Sequence, residues 1–132
     1  MVFQETDCEL ERLDLIKNEN GYTFYKLKVN GKWQVDEFEK DISKNKDLIN
    51  ELTAIYALMD FYTDSPKPPQ TKFRQFKINK RTDIYEFKSK SIRVYVIKKD
   101  KAFYVIRAGL KKNQEKDKEY MKDRFRNVYL QD

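Results

Sequence analysis

The 132-residue sequence has no histidine and one cysteine, and each scarcity narrows the chemistry open to it. Without histidine, a proton-transfer base has to be a carboxylate, a tyrosine, or a lysine whose pKa is lowered by neighbouring cations. Cys8 alone forms no internal disulfide and no multi-cysteine metal site, and its plain reading is an inert thiol near a loose terminus. No stretch approaches the ~20 apolar residues of a membrane span. The opening Met1-Val2-Phe3-Gln4-Glu5 lacks the basic and apolar regions of a secretory signal. The expectation is a cytoplasmic protein with no membrane partner.

What is present is charge and aromatic rings. A composition 39% hydrophobic and 14% aromatic supports a packed core, while 38% charged residues call for a strongly solvated surface. The length suits a single domain over residues 1–132, with residues 1–20 as an acidic N-terminal extension. The net charge of +6 is unevenly spread. Residues 1–65 carry 8 lysines and arginines against 14 acids, net −6, and residues 66–132 carry 20 against 8, net +12. A basic half of this kind points to a polyanionic partner, nucleic acid first, with a lysine-rich soluble surface as the plainer alternative.

Periodicity outlines an α+β fold. Leu10, Leu13 and Ile16 fit one face of a helix, or the segment is a mobile arm, and its role stays open. Tyr22–Val29 alternates as a half-buried strand, and Asn30-Gly31 is a strong hairpin-turn signal. Beyond it, Trp33 and Val35 extend the hairpin, or Val35, Phe38 and Ile42 open a short helix. From Asn45 or Asp47 to Tyr62 the chain reads as a helix through Leu48, Leu52, Ile55, Tyr56 and Met59, ended by the proline-rich Asp64–Pro69 connector. In Phe73–Arg81, Phe73, Phe76 and Ile78 anchor the chain while Arg74, Lys77, Lys80 and Arg81 stay in solvent, an interleaving suited to RNA.

Runs of β-branched and aromatic residues at 84–88, 92–97 and 102–108 predict a three-stranded antiparallel meander. Lys88, Arg93 and Arg107 lie inside those strands, and a cation there must reach water or an anion. A two-residue turn around Lys99 and Asp100 sets Arg107 opposite Ile92, and a three-residue turn sets it opposite Arg93. After the meander, residues 113–129 predict a helix capped by Asn113, with Glu115 and Asp117 at its positive end and Met121, Phe125, Val128 and Tyr129 as its buried stripe. Gly109 eases the turn into it.

Four segments in this order resemble the HigB-like toxins of the RelE/ParE toxin-antitoxin superfamily. They are Val29–Phe38, Asp83–Phe87, Ile92–Tyr95, and Leu110–Gln114 followed by Glu119, and the likeness spans residues 22 to about 128. It implies a RelE-like fold with an N-terminal strand, one or two helices, a three-stranded antiparallel meander and a C-terminal helix. It also implies an mRNA endonuclease that works on the ribosome without metal or cofactor and is neutralised by a helix-turn-helix antitoxin. The reaction is attack of a ribose 2′-hydroxyl on the neighbouring phosphate, which needs a base, cations on the phosphoryl oxygens and an acid for the leaving oxygen.

By this resemblance the catalytic candidates are Arg93 for the phosphate, Lys88 for the base step or phosphate, Lys112 before the last helix, and Tyr120 on it. The RNA-binding candidates are Lys77, Lys80, Arg81, Lys90, Arg107, Lys111 and Gln114. Glu86 is a further carboxylate candidate whose alternative role is structural. Two other classes compete: a ParE-like toxin acting on a protein such as gyrase, and a binding module that has kept the fold without activity.

Overall fold

The chain builds a seven-stranded sheet and three helices in the computed structural model, which describes residues 8–78 and 80–125. In order these are β1 (Cys8–Arg12), β2 (Thr23–Val29), β3 (Lys32–Trp33), α1 (Gln34–Ile42), α2 (Lys46–Asp60), β4 (Phe73–Gln75), β5 (Ile84–Lys88), β6 (Ile92–Lys99), β7 (Ala102–Leu110) and α3 (Gln114–Phe125). The fold is mixed α+β. Strand order is β1-β2-β7-β6-β5-β4 with β3 paired to β2, and every neighbouring pair is antiparallel except β2 and β7. Among the described residues no helix is long and apolar enough to cross a membrane.

The hairpin and the helix compete for residues 33–35, and each takes part of them. Asn30 and Gly31 have φ of 50° and 81°, the left-handed pair that a two-residue hairpin turn requires. Pairing then stops after Val29 opposite Lys32 and Lys28 opposite Trp33, and α1 starts at Gln34 with Val35, Phe38 and Ile42 buried. Asn45 caps α2 by accepting from the Leu48 amide at 3.1 Å, which selects the earlier of the two expected starts.

Two strands, β1 and β4, lie outside those expected from the sequence. The N-terminal segment is neither helix nor arm: Cys8–Arg12 pairs with β2, and Leu13 and Ile16 then turn into the core. Its alternation is a strand pattern five residues long, too short to be told from a helical face without the partner strand beside it. Phe73–Gln75 forms the opposite edge of the sheet.

Period-two alternation gives the sheet two buried faces. Phe24, Phe87, Ile92, Val94, Val96, Phe103 and Val105 pack under α1 and α2. The other face presents Leu27, Ile84, Tyr95, Ile97, Tyr104 and Ile106, with Met121 of α3 fully buried against it. Residues 111–113 form a single 3-10 turn, so α3 begins one residue after the expected cap. Val128 and Tyr129, expected in its stripe, lie outside the described residues.

The β6–β7 register departs from both alternatives drawn from turn length. The turn is Asp100-Lys101, with Lys99 opposite Ala102, and an extra residue enters β7 between the Val96–Val105 and Tyr95–Arg107 pairs. The bulge places Arg107 opposite Tyr95, on the α3 face, where neither Ile92 nor Arg93 is its partner.

Candidate nucleic-acid interface

Sheet register lays the polar side chains of the α3 face in two rows. In one, Arg74, Glu86, Tyr95 and Arg107 are successive cross-strand partners. In the next, Lys88 stands opposite Arg93, and Arg93 opposite Gly109. Directly opposed side chains are within contact reach, so the cations of separate strands share one surface.

Glu86 is the anion at its centre. The carboxylate is fully buried, and both oxygens are engaged: Arg74 Nε donates to Oε1 at 2.7 Å and Gln114 Nε2 to Oε2 at 3.0 Å. A buried charge persists only with such partners. The Gln114 contact also ties the start of α3 to β5, while Arg74 keeps about half of its side chain in solvent.

Lys88 lies beside this pair and is half-buried. Burial holds its pKa below the usual lysine value, the charges of Arg74, Arg93 and Lys111 lower it further, and Glu86 partly restores it. Arg93 is only 5% exposed. Its Nη1 donates to the carbonyls of Ser89 and Ile92, and its Nε has no hydrogen-bond partner among the described residues. The guanidinium is thus a fixed positive charge beneath the surface, braced against the β5–β6 turn. That turn is itself held from α2, where Glu51 accepts from the Ser89 hydroxyl at 2.6 Å and the Ser91 amide at 2.7 Å.

A second polar group occupies the far end of the first row. Arg107 Nε donates to Asp117 Oδ1 at 2.9 Å, its Nη1 to Gln34 Oε1 at 3.2 Å, and its guanidinium stacks 4.0 Å from the Tyr120 ring centroid. Asp117 is buried; that burial raises its pKa, and Arg107 opposes the rise. Tyr95 is raised as well, first by burial and then by the Asp117 and Glu86 charges. Its hydroxyl lies beside Gln114, without a partner of full hydrogen-bond geometry among the described residues. Gly109 makes the approach of α3 possible, since a Cβ there would stand 2.1 Å from Asp117 Oδ2.

The residues singled out from sequence fall into separate places. Lys88 and Arg93 are neighbours, and the charge of Lys111 reaches Lys88. Gln114, Arg107 and Tyr120 belong to the adjoining row. Lys112 is exposed on the turn before α3, and Lys77 and Lys80 are exposed in the connection from β4 to β5. Arg81 makes a two-point pair with Asp83, at 2.9 and 2.7 Å. Lys90 is exposed at the tip of the β5–β6 turn, near Glu51 on the α2 side.

Sequence reasoning passed over Arg74 as a site residue, and it named Tyr95 only as part of a strand and Asp117 only as an acid at the start of the last helix. Their signal is the strand register, which becomes visible only when β4 and the β7 bulge are in place. Among the described residues no group of three histidine, cysteine, aspartate or glutamate side chains is placed to hold a metal ion.

The arrangement defines a class: a mixed α+β protein with a cationic sheet face built over a buried carboxylate. In comparisons with protein families, curated proteins and solved structures, nothing matched this chain.

Proposed function

We propose that the chain is a RelE-like toxin of a toxin-antitoxin pair, acting in the cytoplasm as a metal-independent endoribonuclease on ribosome-bound mRNA. The observation that carries this reading is the place of Lys88, directly opposite Arg93 on the β5–β6 ladder and next to the buried Arg74–Glu86 pair, where burial and the surrounding cations hold its pKa below the usual lysine value. Such an amine is more often neutral at working pH than an ordinary lysine, and it is surrounded by charges that attract phosphate.

In this reading the neutral amine of Lys88 takes the proton of a ribose 2′-hydroxyl. The freed oxygen attacks phosphorus, the bond to the 5′ oxygen breaks, and a cyclic phosphate remains. Arg74 and Lys111 neutralise the negative charge growing on the phosphoryl oxygens, and Arg93 adds a fixed positive field from below. Tyr120, its phenol beside the Arg107 guanidinium, supplies a proton to the leaving oxygen. DNA offers no 2′-hydroxyl and is refused chemically. A helix-turn-helix antitoxin is the expected inhibitor.

The test is induced expression with primer extension on cellular mRNA, beside Lys88→Met, Arg74→Ala and Arg93→Ala variants. Growth arrest with transcripts cut inside coding regions is expected for the wild type, and whole transcripts for the variants. Whole transcripts in arrested wild-type cells, with replication stopped, would overturn the nuclease reading in favour of a protein target.

A further inference from the structure

No group of the fold occupies the amine of Lys88. Among the described residues its Nζ has no hydrogen bond and no ion pair, although Glu86 stands two positions away on the same face of β5. That carboxylate is engaged elsewhere: Arg74 Nε donates to Oε1 at 2.7 Å, Gln114 Nε2 donates to Oε2 at 3.0 Å, and the side chain is fully buried. Lys88 itself is only partly buried, which leaves it reachable from solvent.

Each element around it adds a cation. Arg93 lies directly opposite on β6, Arg74 on β4 keeps about half of its side chain in solvent, and Lys111 is exposed at the end of β7. These charges disfavour a further protonated group among them, and partial burial acts in the same direction. A lysine desolvated or set beside other cations is an activated nucleophile. The same cations draw a small phosphate dianion onto the surface. An electrophile joined to phosphate is thereby delivered to an amine free to attack it.

We propose that Lys88 is an acyl-acceptor site, modified by small acyl phosphates. The neutral Nζ adds to the acyl carbonyl carbon and forms a C–N bond. The bond from that carbon to the bridging oxygen breaks, inorganic phosphate departs with the electron pair, and the surplus proton on nitrogen passes to water. The product is a neutral amide, which leaves the sheet face without the charge of Lys88. Its consequence for cleavage rests on the ribonuclease reading, in which an acylated Lys88 accepts no proton; the modification itself does not.

The experiment treats the full chain with acetyl phosphate and, separately, with the uncharged ester N-acetoxysuccinimide, and follows acetylation of each lysine over time by peptide mass spectrometry. Lys17 and Lys44, exposed in the β1–β2 and α1–α2 connections, are the references. With acetyl phosphate Lys88 should react about tenfold faster than either reference, and with the ester by a smaller margin. Lys111→Gln removes an exposed cation and should slow acetyl phosphate at Lys88 about threefold to fivefold while the reference rates hold. Glu86→Gln removes the neighbouring negative charge and should speed it, again with the references unchanged. Equal rates at Lys88 and the references, a Lys88 rate indifferent to both variants, or a larger margin with the uncharged ester would overturn the proposal. All of these rates are measured without RNA, so the acyl-acceptor site and the ribonuclease reading can each fail while the other stands.

Discussion

Lys88 and Gly109 show how much a single position depends on its neighbours. For Lys88 the sign of the shift sets the pH behaviour: a lowered pKa makes the neutral amine more abundant, and the neutral fraction grows as pH rises through that pKa. Cleavage should therefore climb with pH and level off above it. Lys88→Arg keeps a cation that does not release its proton; the rate should fall about 100-fold or more and the pH-dependent climb should vanish, as single-turnover assays would show. Gly109 answers to a different constraint. Gly109→Ala drives a methyl into Asp117 Oδ2, where the separation would be 2.1 Å, and should destabilise by about 1–3 kcal/mol in urea unfolding. In an Asp117→Ala background the penalty of the added methyl should shrink, because the clashing oxygen is gone. From sequence, Lys88 was legible as an unusual cation in a strand. The role of Gly109 was not, since nothing local says which side chain will lie on it.

Among the elements, the β5–β6 turn is the one on which the site rests. It carries Lys88 on one side and Arg93 on the other, and Glu51 holds it from α2. Burial pushes the Glu51 pKa up, but the hydrogen bonds from Ser89 and Ser91 and the Lys90 charge outweigh it, so the folded value is depressed. A depressed carboxylate stabilises the fold above its unfolded pKa, about 4, and that contribution is lost as pH falls. Glu51→Ala should cost about 1–2 kcal/mol at pH 7 by urea unfolding, and the gap from wild type should narrow below about pH 4. The strands of the meander and the α2 helix were legible because their apolar periods are long and their turns carry clear signals. Short β1 and β4 were not, because a strand of three to five residues is stabilised by its partner more than by its own pattern. The β7 bulge escaped for the same reason. It adds one residue to a run, Val105-Ile106-Arg107, that reads equally well without it.

On the scale of the whole molecule, the opposed charges of the two halves become a spatial division. The acidic α1 lies on one side of β7, and the cations of β4, β5 and β6 converge on the other. If Arg74 and Lys111 contact the phosphates of a single RNA strand, each releasing about 0.7 counterion, log Kd should rise by roughly 1.4 for each tenfold increase in salt. Filter binding or fluorescence anisotropy with a short RNA checks this, and a flat salt response would remove the phosphate surface from consideration. The sequence by itself determined the mixed α+β class, the meander, the two long helical patterns and the charge asymmetry, because each follows from local periodicity and composition. Only the tertiary structure decided which cations meet, that Glu86 lies buried among them, and that Arg107 turns to Asp117 instead of Arg93. Those outcomes depend on strand register and on one inserted residue, and a shift of one position sends every following side chain to the other face of the sheet.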